Sequence, residues 1–290
     1  MMSARILTII VTYNGLRWID SCLGSLRRSE LPSDVILIDN CSTDGTVDYV
    51  REHFPEVRLV HSDKNLGFGQ ANNIGMRYAL KQGYDYVYLL NQDAWVMPDT
   101  LGSMVDAMRA NPEYGVLSPV QMTASMDRPD AGFSQKCLKG SLQNYKSGDI
   151  YPVPFVMAAH WMISRNCLEA VGGFSPVFYH YGEDDNYLHR VSYKGFKVGF
   201  LAGVFAVHDR EDRKITKAFR MRRKYIIAMD NISDPSGCLW LRLVCQPLEM
   251  VLWSIRWLSY DVLCYIPKLL KAYPELVKAR RESMNPRAFL

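Results

Sequence analysis

The chain has neither a paired-cysteine pattern nor a long uncharged apolar run. Its seven cysteines (Cys22, Cys41, Cys137, Cys167, Cys238, Cys245, Cys264) are odd in number and scattered, without a CxxC pair. That excludes a disulfide framework or structural zinc site as the organising device and points to a reducing compartment. No stretch free of charge approaches the ~20 residues needed to span a bilayer. The opening residues lead into a short apolar run, 6–11, that ends in Thr12-Tyr13-Asn14 without the apolar length or small-residue cleavage site of a secretion signal. It reads as a first strand. After it stands Gly15 rather than GxGxxG, which counts against a nicotinamide or flavin enzyme. A nucleotidyltransferase would want a basic Gly-rich loop at the same place, and none is there.

What is present is ordinary globular composition, 48% hydrophobic and 22% charged over 290 residues, enough for one or two domains with a sizeable core. From residue 6 to 119, short β-branched runs (6–12, 35–39, 57–61, 84–90) alternate with segments of helical period (16–26, 47–53, 71–80, 100–109). Strand and helix in turn imply a parallel sheet, which binds ligands at the carboxyl ends of its strands. Residues 123–151 are polar and aperiodic, a lid or a disordered loop. Further strands are expected over 155–163 and 198–207, a short helix over 167–171, and a helix opening near Glu183.

The modest net charge of +4 hides an asymmetry: residues 1–205 carry 18 basic and 21 acidic residues, and the remainder 16 basic and 9 acidic. The boundary falls near residue 209, giving a catalytic domain 1–209 and a basic, amphipathic helical extension 210–290. Arg242, Glu249 and Arg256 recur every seven residues and share one helical face, leaving the rest apolar. Such a helix fits either a membrane interface, with Lys268, Lys271, Lys278, Arg280 and Arg281 for anionic headgroups, or packing against the catalytic domain or a second subunit as a homodimer. Pro247 and Pro267 predict breaks. The basic run 210–224 alone raises nucleic acid as a partner. A lipid-linked acceptor's phosphates or a membrane surface account for it equally, and no nucleic acid is expected.

The strand ends carry the chemistry. Asp39 closes a strand and could accept from a ribose hydroxyl or a base N–H. Asp44, in a Ser/Asp/Gly turn, reads better as a helix-capping residue, with Thr46 a further cap. The stretch Asn65-x-Gly67-x-Gly69 opens a helix whose N–H groups could meet phosphate. Asn91 and Asp93, two residues apart, would face one side of an extended chain and approach one hard cation. Glu183-Asp184-Asp185 follow a glycine and three aromatic residues, and like charges so close require a cation, a helix N-terminus or a substrate to offset them. His208 ends a strand and could ligate metal or phosphate, although a lone histidine is more often structural.

Together, Thr12-Tyr13-Asn14, Leu37-Ile-Asp39-Asn40-Cys-Ser42-Thr-Asp44-Gly45, Asn65-x-Gly67-x-Gly69-x-Ala71-x-Asn73, Leu90-Asn91-x-Asp93, Gly172-Gly173-Phe174 and Glu183-Asp184 resemble, in order and spacing, the inverting glycosyltransferases of family 2, and among them the bacterial rhamnosyltransferase-like subgroup. The resemblance covers about residues 6–208. It implies an α/β, GT-A type nucleotide-diphospho-sugar transferase fold with a mixed, mostly parallel sheet flanked by helices. It also implies a divalent cation, Mn²⁺ or Mg²⁺, a nucleotide-diphospho-sugar donor (dTDP-rhamnose or a UDP-hexose) and a glycan or lipid-linked acceptor in surface polysaccharide synthesis.

By that resemblance Thr12, Tyr13, Asn14, Asp39, Asn40, Gly67, Asn73, Asn91, Gln92 and Asp93 would hold the donor. Asp93 and His208 would hold the metal, Asp184 would be the catalytic base, and Glu183, Asp185 and Trp161 would lie on the acceptor side. Asn91 stands where other branches carry the first aspartate of D-x-D, so the site has one negative charge fewer. The expected location is cytoplasmic, peripheral at the inner face of the cytoplasmic membrane. A catalytically silent nucleotide-sugar or glycan-binding module is the competing function, and the intact carboxylate set argues against it.

Overall fold

A computed structural model describes residues 4–210, 216–256 and 260–290. Its centre is a nine-stranded mixed sheet. Strands β1 (Ile6–Thr12), β2 (Asp34–Asp39), β3 (Arg58–His61) and β4 (Tyr86–Asn91) are mutually parallel, in the order β3-β2-β1-β4. Beyond β4 the order continues with β8 (His160–Ser164), β6 (Tyr114–Met122), β9 (Lys197–His208) and β5 (Ala94–Val96). Here the pairings are antiparallel except β6 with β9, and β7 (Ile150–Pro152) adds to β9.

The near-continuous apolar strands have a simple cause, since both faces of the sheet are covered. Leu7, Ile9, Ile36, Ile38, Val87 and Leu89 pack on one side against helices α3 (Phe68–Gln82), α6 (Arg165–Val171) and α7 (Glu183–Tyr193). The alternate residues Ile6, Ile10, Leu37, Tyr88 and Leu90 pack on the other against α1 (Leu16–Arg27), α2 (Thr46–His53) and α4 (Thr100–Ala110). Buried apolar surface at roughly 25 cal/mol per Å² is what holds these layers together.

Three departures from the sequence reading have local physical causes. Strand β6 was not expected because Gly115 and Pro119 are poor strand residues, and the register with β9 shifts beside both of them. The run expected over 155–163 pairs only from His160 onward. Within residues 123–151, helix α5 (Ala131–Cys137) is capped by Asp130, which accepts from Phe133 N at 3.0 Å. The segment is packed down by Phe133, Tyr145 and Tyr151 around Phe200, so it is an ordered wall of the domain.

Helices α8 (Lys217–Ser233), α9 (Leu239–Arg256) and α10 (Tyr265–Ser283) share a smaller core of Met221, Ala228, Ile232, Met250, Val262, Leu269 and Leu276. Pro247 does not break α9, which runs through it, and Pro267 sits in the first turn of α10, where a proline costs no helical hydrogen bond. Arg280, expected to meet headgroups, is buried and donates to the carbonyls of Pro235 and Gly237. Of the basic run 210–224, residues 211–215 lie outside the described residues. The extension packs on the sheet domain: Asn186 Nδ2 donates to Ser233 Oγ at 3.1 Å and His189 Nδ1 lies 3.3 Å from Asp230 Oδ1. The last residues return to it as well, with Gly173 N donating to Ala288 O.

Candidate active site

The carboxyl ends of β1, β2 and β4 meet on one edge of the sheet. Gln92 joins two of them: its Oε1 accepts from Thr12 Oγ1 and from Tyr13 N, both at 2.8 Å. Thr12 is therefore buried and turned toward Gln92 rather than toward a ligand. Gly15 is glycine for the same reason, because a Cβ there would lie 2.4 Å from Gln92 Oε1. Asn14, at φ 49°, accepts from Thr43 N at 2.8 Å and so ties the β1 loop to the β2 loop. At the end of β1 Thr12 is buried while Tyr13, at 50% exposure, and Asn14 both reach the surface, and of these Tyr13 offers an apolar ring. An aromatic face so placed suits stacking on a base.

Asp39 is enclosed. Its Oδ2 accepts from Ser42 N at 3.1 Å and sits 2.8 Å from His61 Nδ1. Oδ1 has no hydrogen-bond partner among the described residues. A buried acceptor left unpaired costs about 1–3 kcal/mol, so a ligand N–H or O–H arriving there would relieve that cost. Asp44 is structural, as its turn implied: its carboxylate accepts from Leu16 N at 3.0 Å and Thr46 N at 3.1 Å, at the starts of α1 and α2. Partial burial pushes its pKa up, but the hydrogen bonds from Thr46 and Leu16 outweigh that and leave it below the usual range. Thr46 is not a cap; it is the first residue of α2, and its Oγ1 accepts from Gly15 N.

Asn40 and the Gly67 turn also prove to be framework. Asn40 donates to Asn65 Oδ1 at 2.9 Å and accepts from Leu66 N at 2.7 Å. Gly67 has φ 77°, and a Cβ on it would stand 2.3 Å from Tyr179 O, so the glycine permits close approach of two loops. Asn73 does not hold a donor. It is buried, accepting from Phe174 N at 2.7 Å and donating to Phe174 O at 2.9 Å. Trp161 is likewise removed from the acceptor side: fully buried, it donates to Val156 O and stacks on Phe174.

Asp93 and His208 are brought together. Asp93 Oδ1 lies 3.8 Å from His208 Nε2, and Asp209 N donates to Asp93 O at 2.8 Å, fixing the two strand ends to each other. Gln92 and Asp93 form a turn between β4 and β5, so the two-residue period expected to align Asn91 with Asp93 does not run through this point. Asn91 is half-buried, its backbone N donating to Ala159 O. Among the described residues no group of three His, Cys, Asp or Glu is placed to hold a metal. The Asp93–His208 pair nevertheless fits a divalent cation. A carboxylate oxygen with an imidazole nitrogen suits Mn²⁺, whereas Mg²⁺ would use the carboxylate alone; the two atoms lie close enough for one ion to touch both, and diphosphate oxygens ordinarily complete such a shell.

The acidic cluster opens α7 behind Gly182, which has φ 90°. Glu183 is 7% exposed and its Oε2 is unpaired among the described residues. Burial, with Asp185 adding to it, raises its pKa to about 7. The Asp184 residue as a whole is half-buried and its carboxyl enclosed; burial, then the charges of Asp185 and Glu183, hold it well above the usual carboxylate range. Asp185, at the rim, is raised by the surrounding protein and by Asp230. Asp230 lies in no motif and carried no signal in the sequence. The same holds for Trp18, its indole N–H donating to Asp209 Oδ2 at 3.2 Å.

A four-stranded parallel half-sheet continued by a mixed half and flanked by helices is the GT-A type fold. Residues 8–172 match the profile of Glycosyl transferase family 2, and the chain belongs to that family. It is 24% identical over 230 residues to an N-acetylglucosaminyl-diphospho-decaprenol L-rhamnosyltransferase of Mycobacterium tuberculosis, covering 70% of this chain and 75% of that one. It is 35% identical over 108 residues to an undecaprenyl-phosphate mannosyltransferase of Micrococcus luteus, covering 36% of this chain and 44% of the relative. In structure it resembles the mannosyltransferase PcManGT of Pyrobaculum calidifontis in complex with GDP-Man and Mn²⁺, with TM-score 0.61 at 21% identity over 96% of this chain and 73% of that one.

Proposed function

We propose that this protein is an inverting, metal-assisted sugar transferase. In this reading residues 1–209 are the catalytic unit, and a hexosyl or deoxyhexosyl group passes from a nucleotide-diphosphate donor, dTDP-rhamnose or a UDP-hexose, to a hydroxyl of a lipid-linked saccharide. The observation that carries this reading is the approach of Asp93 to His208 at 3.8 Å, on a sheet edge that also holds the unpaired Asp39 Oδ1 and the exposed Tyr13 ring. The lipid-linked acceptor and the deoxyhexose are supported by the relatives' activities, and polysaccharide synthesis at a membrane face follows from such an acceptor.

Asp93 and His208 would hold the divalent cation, which when bound would supply positive charge against the departing nucleoside diphosphate. Tyr13 carries the base on its ring, and Asp39 Oδ1 accepts a donor hydrogen from the nucleoside. Asp184 takes the acceptor hydroxyl's proton as that oxygen attacks the anomeric carbon, and a single displacement inverts the anomer. A carboxylate with a raised pKa is the stronger proton acceptor, provided that it is ionised at the working pH. Burial first, then the charges of Asp185 and Glu183, keep it in that raised state.

Thermal denaturation with UDP, dTDP and GDP, each with and without Mn²⁺, tests the donor half. One nucleoside diphosphate should raise the midpoint selectively, and more with Mn²⁺. No shift with any of them would overturn the reading. The transfer half is tested by supplying the matching nucleotide sugar with a polyprenyl-diphosphate saccharide and determining the product's anomer, where retention would exclude the single displacement.

A further inference from the structure

Two polar side chains of α9, Arg242 and Gln246, are engaged on its inner side. Arg242 bonds Asp234 Oδ2 at 2.7 Å, and Gln246 accepts from Asn231 Nδ2 at 2.9 Å. The outward side carries Trp240, Leu241, Val244, Leu248, Leu252 and Ile255, each more than half exposed, with Trp240 at 77%. At 100° per residue these six fall within one arc of roughly 120° that contains no charge. No helix among the described residues is long and apolar enough to cross a membrane, so the face must be covered some other way.

We infer that the outward face of α9 lies in the interface of an anionic lipid surface, its apolar residues among the upper acyl chains and its cationic border among the headgroups. Two observations select lipid as the occupant. Lys224 and Arg256 line the same groove of about 310 Å³ as Ile227 and Leu252, between α8 and α9. Arg220 and Arg223, both exposed, precede Lys224 and Ile227 by four residues and so share that side of α8. Among the described residues Glu249 lines that groove, accepting from Gln246 Nε2 at 3.4 Å, and Asp185 lies within electrostatic reach of Arg223, so the cations of the row outnumber the acids that face it. Anionic headgroups complement such a border, whereas a two-fold contact with a second copy would set the cations of each border against those of the other. Secondly, the apolar stripe is framed by aromatic residues with polar tips, Trp240 at its start and Tyr260, 67% exposed, just beyond its end. Those are the side chains that favour the headgroup level of a bilayer.

The surface does not depend on sugar transfer, and its test uses neither nucleotide nor acceptor. The full chain is sedimented with vesicles of phosphatidylcholine alone or with phosphatidylglycerol, while light scattering reports its oligomeric state. The wild-type chain should sediment with the anionic vesicles. The double variant Leu248→Glu/Leu252→Glu, at exposed positions that leave the fold intact, should bind at least about tenfold more weakly. Arg220→Glu/Lys224→Glu should remove the preference for anionic over neutral vesicles. Wild-type protein that stays in the supernatant, or a double leucine variant that binds undiminished, overturns the inference. A wild-type dimer that binds no vesicle and becomes monomeric in the leucine variant would assign the face to a second copy instead.

Discussion

Asp93 Oδ1 stands 3.8 Å from His208 Nε2, and the backbone beside them is locked by the hydrogen bond from Asp209 N to Asp93 O. The turn after β4 and the end of β9 thus present one oxygen and one nitrogen ligand side by side. Asp93→Ala leaves that backbone bond in place and removes the oxygen. The extra thermal stabilisation that Mn²⁺ adds to nucleoside diphosphate binding should disappear, and His208→Ala should weaken it about tenfold or more. A variant retaining the wild-type Mn²⁺ increment would take that residue out of the metal site.

Asp184→Asn should fold as the wild type does, bind nucleotide unchanged, and lose transfer by roughly 10²–10⁴-fold, the usual contribution of a positioned proton acceptor. Turnover within a few-fold of wild type would show that another group takes the proton.

Glu183 supplies the pH dependence. Its pKa of about 7 is raised above the value of a free side chain. It therefore weighs against the fold as pH climbs from the unfolded value of about 4.3 through 7, and below that window the penalty is absent. Glu183→Gln should accordingly stabilise the protein at pH 8 and change little at pH 4. Because Glu183 also holds up the Asp184 carboxyl, the same variant should move the acid limb of the transfer rate to lower pH. Denaturation midpoints at the two pH values and a rate profile check both halves. An acid limb that stays where it was would remove the coupling.

Asn73 clamps both backbone groups of Phe174 and so fixes α3 against the turn that leads to α7. Asn73→Leu keeps the branched four-atom outline of the side chain, though it is bulkier, and strands a buried N–H and C=O, for a loss of roughly 2–4 kcal/mol. Asn73→Asp keeps the acceptor for Phe174 N and, at about pH 4 where a buried carboxyl stays protonated and can donate to Phe174 O, should cost less in stability. Urea denaturation distinguishes the two, and equal losses would mean that packing rather than the hydrogen bonds fixes the turn.

The parallel half of the sheet was legible because β1, β2 and β4 are near-continuous apolar runs, largely buried, with only the short β3 more exposed. The expected residues 6–12 coincide with β1, and β2 differs from its expected span by one residue. Strand β6 was hidden because Gly115 and Pro119 break its pattern while bulges absorb them. At the site, spacing located the strand ends but not the direction of each side chain. Thr12, Asn14, Asn40 and Asn73 lie where the motifs placed them, yet their polar atoms are engaged by other parts of the protein. Motif position reports the neighbourhood; only the hydrogen-bond partners separate a residue that meets a ligand from one that holds the loop.

Asp44 allows that separation to be tested directly, since it belongs to the same motif as Asp39 but serves the starts of α1 and α2. Asp44→Ala frees Leu16 N and Thr46 N, and by the usual worth of such a bond should lower stability by about 1–2 kcal/mol. Its carboxyl lies below the usual range, so that contribution is present above the unfolded pKa and fades as pH falls through the folded one. Nucleoside diphosphate affinity, measured by titration calorimetry well below the unfolding temperature, should be unchanged. Asp39→Ala should instead lower that affinity. If Asp44→Ala weakens nucleotide binding as much as Asp39→Ala does, the carboxylate that bridges the two helix starts is itself part of the donor site.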